Sequence, residues 1–288
     1  MKQDAFSRYH PAVNFIYFVL AIGFGVVFQH PAYMTAAVLG AAIYYLLLKG
    51  RKGIKMLLLL LPVFLLIGFV NPIFNTLGET ELFLLCGRPY TLEALYYGFV
   101  VGGIFLVMML WFGCYSEVLT SDKFTSLFGN LIPSISLLLV MVLRMIPNFM
   151  KKAVQISGVR KSIGKSAENG SLKEKLLSGM TILSALTDWA LEGSVVTADS
   201  MRSRGYGSAK RTNFQIYRMT LRDWALLCLT LILAAATIFG GEKGAEFIPT
   251  LQIMPLTWGF GTYCAYLLLP TALHLKEALT WHILRSRI

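Results

Sequence analysis

An all-α integral membrane protein of about six transmembrane helices, with a cytoplasmic pair of long helices inserted between the fourth and fifth, is the fold class that the sequence predicts. Three observations carry this expectation. Of 288 residues, 56% are hydrophobic and 14% charged, at a mean hydropathy of +0.63, whereas a soluble domain carries about 25% charged residues. Six stretches approach the roughly 20 apolar residues that a spanning helix needs. Once those stretches are threaded through a bilayer, all 26 lysines and arginines except Arg88 and Lys243 fall on one side.

The first stretch, Ala12 to Phe28, follows the polar start MKQDAFSRYHP, which does not read as a cleavable signal peptide. Ala32 to Leu48 comes next and is tight in length. Met56 to Phe74 and Ala94 to Tyr115 follow, and Trp224 to Gly240 and Pro249 to His274 close the set. Basic residues accumulate in cytoplasmic loops, so both termini are expected in the cytoplasm and the chain in the cell (plasma) membrane. The expected organisation is 1–115 with four spans, 116–222 as a cytoplasmic segment, and 223–288 with two spans and a cytoplasmic tail. The apolar run at 132–147 is short and holds Arg144. A seventh span there would carry the basic residues from Lys151 to Arg222 outside. It reads instead as a helix buried in protein at the cytoplasmic surface, or dipping into the membrane.

The inserted segment is rich in Leu, Ile, Val and Met, which argues against disorder. Its first helix is expected from about Ser134 to Ser157, kinked at Pro147 and stopped by Gly158. Ile146, Phe149, Met150, Ala153 and Val154 share a face there, away from Lys151, Lys152 and Gln155. A polar stretch with a turn at Asn169-Gly170 follows. The second helix is expected from about Leu172 to Ser203. Leu172, Leu176, Met180, Leu183, Leu186 and Ala190 line one face at 100° per residue. Glu174, Ser178, Thr181, Asp188, Glu192 and Asp199 fall opposite. Gly205 suits the left-handed conformation that closes helices.

Each helix delivers an arginine near its C-terminus, Arg160 in GVRKSIG and Arg204 in RSRGYG. A cation there gains about 0.3–1 kcal/mol from the helix dipole, and that alone is the plainer account of each. Two such ends in one segment also make a docking surface, because guanidinium forks bind carboxylates bidentately and tolerate burial at interfaces. Binding to anionic lipid is the competing reading and suits Lys151, Lys152, Lys210 and Arg211, since it needs no fixed geometry.

Several chemistries find no support. GVRKSIGKS approaches a phosphate-binding loop, but five residues separate Gly158 from Gly164 instead of four, and a helix is expected before it instead of a strand. Cys86, Cys114, Cys228 and Cys264 form no CxxC pair, so neither a zinc nor a redox motif is expected. Glu93 sits at a span entrance where Thr91 would cap the helix. Asn71 would tie off backbone groups freed by Pro72. His10, His30, His274 and His282 lie at span ends or beyond them. The chain therefore reads as non-catalytic, without cofactor or metal.

Read together, HPAVNF, NPIFNTLGETELF, YTLEALYYG, IPSISLLLVMVLRMIPNF, AVQISGVRKSIG and ADSMRSRGYGSAKRTNF make the sequence similar to the transmembrane T component of energy-coupling factor (ECF) transporters. That family includes the membrane subunits of cobalt, nickel and biotin importers. The resemblance implies coupling helices whose end arginines seat in two ATP-binding cassette ATPase subunits. Here these would be Arg204, flanked by Ser203 and Gly205, and Arg160, flanked by Val159 and Lys161, with Arg202 beside the second. It also implies a separate substrate-binding membrane S component, carrying a vitamin or metal ion and packing on a platform that includes Leu176, Met180, Leu183 and Leu186. The bilayer and these subunits are the expected partners, and nucleic acid is not. A self-contained secondary transporter, or a substrate-binding membrane subunit, is the alternative; an intramembrane enzyme lacks an acid–base pair within the spans.

Overall fold

Each of the six apolar stretches contributes a helix in the computed structural model, which describes residues 5–76, 78, 80–85, 88–120, 123–124, 126–127, 133–164, 171–208, 217–241, 245–246, 252–253 and 255–285. The helices are α1 (Pro11–Val27), α2 (Pro31–Lys49), α3 (Arg51–Phe74), α4 (Leu92–Val118), α5 (Pro133–Ser162), α6 (Leu172–Ser203), α7 (Leu221–Gly240) and α8 (Gly259–Arg285). Among the described residues two antiparallel strand pairs accompany them, β1 (Glu81–Leu85) with β2 (Arg88–Thr91), and β3 (Ala245–Glu246) with β4 (Gln252–Ile253). The protein is thus a helical membrane protein. Among the described residues, α2, α3, α4 and α7 are long and apolar enough to cross a membrane. At 17 residues α1 is shorter, about 26 Å at 1.5 Å per residue. The sequence places the start of the last span at Pro249; α8 begins ten residues later, because Gln252–Ile253 is extended and paired with Ala245–Glu246. Lys243, Lys210, Arg211 and the Asn169-Gly170 turn lie outside the described residues.

Local chemistry sets the helix starts. His10-Pro11-Ala12 and His30-Pro31-Ala32 open α1 and α2 in the same way. The histidine Nδ1 accepts from the alanine N–H, at 3.2 Å in α1 and 3.1 Å in α2, and proline occupies the first helical position. At α4 the Thr91 hydroxyl accepts from the Ala94 N–H at 3.3 Å, as the sequence suggests. Glu93 follows in the first turn and accepts from the Thr80 hydroxyl at 2.5 Å. The Asn71 side-chain oxygen accepts from the Asn75 side-chain amide at 3.0 Å, and the Asn71 backbone carbonyl accepts from the Asn75 N–H at 3.0 Å.

The chain divides into two compact units, Met1–Phe124 with Tyr217–Ile288, and Thr125–Ile216. In the first unit α4 packs against α1, α2 and α3, while α8 packs against α2 and α7. The α3–α4 pair is the most extensive contact, and a GxxxG spacing makes it close. A methyl group at Gly98 would lie 2.5 Å from the Gly68 carbonyl oxygen, and one at Gly102 would lie 3.0 Å from that of Phe64. Without bulk at these positions the two backbones approach directly, as small residues allow in membrane helix pairs. Between α1 and α8 the bond is aromatic. Tyr17 and Tyr266 stack at 4.9 Å, and each hydroxyl donates to the other's carbonyl oxygen, at 3.3 and 2.8 Å. Trp111 of α4 meets the Tyr17 and Phe18 rings edge-on, all three fully buried.

Polar contacts gather helix ends at one end of this unit. Lys49 of α2 pairs with Glu117 of α4 at 2.9 Å, and Arg8 pairs with Glu277 of α8 at 2.6 Å. The Lys123 ammonium donates to the Ser7 carbonyl oxygen and to the oxygen of Val118. Asp223, in the first turn of α7, accepts from the His10 N–H at 3.0 Å.

The second unit is the pair α5 and α6, which meet where Phe149 packs edge-on against Trp189 at 5.5 Å and Lys152 lies over the same indole. The more shielded side of α6 carries Ser178, Ile182, Ala185, Trp189 and Gly193, at spacings that keep them on one face. The sequence assigns Ser178 to the solvent side; it is buried, at 6% exposure. The apolar stripe lies elsewhere, and Leu172, Leu176, Met180 and Leu183 are 68–81% exposed. Leu186 and Ala190 are half-buried.

Candidate functional site

The termini of α5 and α6 carry the arginines that the sequence singles out. The α6 helix is built to hold its length. Ser171 and Glu174 form a reciprocal capping box at its start, with the Ser171 N–H donating to the Glu174 carboxylate at 2.9 Å. At its end the Tyr206 N–H donates to the Met201 carbonyl and the Gly205 N–H to the Arg202 carbonyl, both at 3.0 Å. That pair of bonds is a Schellman closure, and it requires the residue after the cap to be left-handed. Gly205 is, at φ +72°. Arg204 is therefore the cap residue, one position outside the helix and exposed.

Around Arg204 the helix end is saturated locally. The Ser203 hydroxyl donates to the Ser200 carbonyl at 3.0 Å, and the Ser208 hydroxyl donates to that of Gly205 at 2.6 Å. Arg202 is also exposed. Among the described residues neither Arg202 nor Arg204 forms an ion pair. Replacing Gly205 by valine forces a β-branched residue into the left-handed region at a cost of about 1–2 kcal/mol. The expected outcome is roughly tenfold faster hydrogen exchange at the Gly205 and Tyr206 amides, with Gly205→Asn close to the original rate.

The α5 end is different. The sequence stops this helix at Gly158, but α5 continues through Ser162 and turns at Gly164, which is left-handed at φ +75°. Gly158 keeps a negative φ, because nothing local forces it out of the helix and its carbonyl accepts the Ser162 hydroxyl at 3.2 Å. Helix also runs through Pro147. Arg160 thus lies in the last helical turn, not beyond it, with Val159 and Lys161 exposed on either side. Its side chain is half-buried, and the Nε atom is shielded with no hydrogen-bond partner among the described residues. The two ends share an arginine followed by a left-handed glycine, but the glycine is adjacent in one and four residues on in the other. Gly158 to Ser162 is helical, so this stretch offers no strand–loop–helix phosphate cradle.

Two features were missed in the sequence although their signals are visible in it. The Gly98-xxx-Gly102 spacing in α4 marks the tight α3 contact. The repeated His-Pro-Ala marks two helix starts.

No family model matches the chain. The chain is 27% identical over 154 residues, 51% of its length, to the energy-coupling factor transporter transmembrane protein EcfT of Staphylococcus aureus (strain 04-02981). It spans 57% of the length of that relative. This similarity supports the ECF T-component family for the chain and agrees with the resemblance in its motifs.

Proposed function

We propose that this chain is the transmembrane coupling subunit of an ECF-type importer, and that α5 and α6 are its coupling helices. In this reading both termini face the cytoplasm. Two ATP-binding cassette ATPase subunits grip the ends of α5 and α6 through Arg160 and Arg204, with Val159, Lys161, Arg202, Ser203 and Gly205 shaping the contacts. ATP binding and hydrolysis occur in those partners. Their motion reaches a separate substrate-binding membrane subunit through the platform of Leu176, Met180, Leu183 and Leu186, and a vitamin or a metal ion is released inside the cell.

The observation that carries this reading is the Arg204 guanidinium, which forms no ion pair among the described residues, at the end of a 32-residue helix whose Leu172, Leu176, Met180 and Leu183 are exposed. A charged fork held without a partner is ready to form charge-assisted bonds to an incoming carboxylate. Three exposed leucines and a methionine on one face favour burial against another protein. The likeness to the staphylococcal transmembrane protein supports the same assignment.

The test is affinity purification of the tagged full chain from its native membrane. Two ATPase subunits and one further membrane subunit are expected to co-purify, and the isolated chain is expected to bind no substrate. Saturable binding of a vitamin or metal ion by the isolated chain, with no ATPase retained, would overturn the proposal in favour of a self-contained transporter.

A further inference from the structure

One concavity is lined entirely by residues of the first unit. It is an open groove of about 1230 Å³ between the N-terminal segment, the start of α7 and the C-terminal third of α8. Its rim carries Arg8, Arg218, Arg222 and Lys276 against two acids, Asp223 and Glu277. Both acids are already engaged. Glu277 holds Arg8 at 2.6 Å and accepts from the Trp281 indole at 3.3 Å. Asp223 accepts from the backbone N–H groups of His10 and Thr220 and from the Thr220 hydroxyl, at 3.0, 2.9 and 2.7 Å. Arg218, Arg222 and Lys276 have no ion pair among the described residues. Below this rim the lining turns apolar, through Leu226 and Leu229 of α7 and Leu273 of α8. Arg222, Leu226 and Leu229 follow one side of α7, so the groove descends about 10 Å along a helix long and apolar enough to cross a membrane.

A cationic mouth above an apolar channel that runs down a membrane helix matches one kind of molecule. We infer that this groove binds an anionic glycerophospholipid. Its phosphate lies among Arg218, Arg222 and Lys276, and an acyl chain lies along Leu226, Leu229 and Leu273. Three cations with no ion pair among the described residues complement a phosphodiester and disfavour a zwitterionic headgroup, whose own cation would meet them. The apolar floor distinguishes the site from one for free phosphate, which would gain nothing from it. The basic groove of Tyr45, Lys49, Lys52, Lys55 and Glu117 provides an internal comparison. There Lys49 is already paired with Glu117.

The test uses the purified full chain in detergent with phosphatidylglycerol, phosphatidylcholine or inorganic phosphate, and counts retained lipids by native mass spectrometry. Phosphatidylglycerol is expected to be retained about tenfold over phosphatidylcholine. The triple variant Arg218→Gln/Arg222→Gln/Lys276→Gln should remove that preference, Arg222→Gln alone should reduce it about threefold, and Lys52→Gln/Lys55→Gln should leave it unchanged. Arg218→Lys/Arg222→Lys should restore most of it, which separates charge from a folding defect. Equal retention of the two lipids, an unaffected preference in the triple and single variants, or displacement by millimolar phosphate alone would overturn the assignment.

Discussion

Replacing Arg160 and Arg204 together by alanine is expected to abolish substrate uptake while leaving the amount of the chain in the membrane near its original level. Each guanidinium, seated on a carboxylate of an ATPase subunit, would contribute about 1.5–3 kcal/mol, the range for hydrogen bonds between charged groups. Losing one weakens docking roughly ten- to hundredfold. The two residues lie on different helices, so their losses should add when the contacts are independent. Arg204→Ala alone should have the larger single effect, because Arg204 stands outside its helix and is exposed, whereas Arg160 is half-buried in the last turn of α5. Transport assays in vesicles and the yield of ATPase subunits retained on the tagged chain measure the two consequences separately. Normal uptake with a normal yield of complex in the double variant would remove the docking role from both residues.

Gly98→Val is expected to disrupt the membrane unit itself. A single carbon at this position already approaches the Gly68 carbonyl oxygen to 2.5 Å and the Asn71 Cβ to 2.9 Å, well inside the 3.5–4.0 Å at which carbon atoms pack. Valine adds two more carbons, and the obstacle is backbone, which cannot rotate away. Overpacking of this kind costs about 1–3 kcal/mol and more where backbone must move. A thermal melt of the purified chain should shift down by about 6 °C or more, and Gly98→Ala should fall between. Gly23→Ala is the control, since a methyl there meets nothing within 4 Å. An unshifted melt for Gly98→Val would show that α3 and α4 are not held at this crossing.

The membrane helices were legible because their signal is long and redundant. A run such as Met56 to Phe74 has few readings other than a spanning helix. α6 was legible to its ends, since the apolar spacing from Leu172 and the closing Gly205 mark the boundaries that the helix takes. The end of α5 was not, because glycine stops a helix only when the chain must turn left-handed there. Gly164 meets that requirement and Gly158 does not. The face of α6 that is shielded could not be read from hydrophobicity either. Small residues at Ser178, Ala185 and Gly193 sit on that side, while the greasier stripe is left outside. In the candidate site, the types and positions of the arginines were visible in the sequence. Their unequal exposure depends on where each helix terminates and was not.

The open stripe on α6 also bears on how the cell would handle this protein before assembly. A copy made in excess of its companions would display four large apolar side chains together with the exposed Arg202 and Arg204, the kind of surface that quality-control proteases select. Under the proposed function, survival would then depend on finding ATPase and substrate-binding subunits quickly. The abundance of the whole transporter would be set by its scarcest member, with no dedicated regulator needed to keep the subunits in proportion.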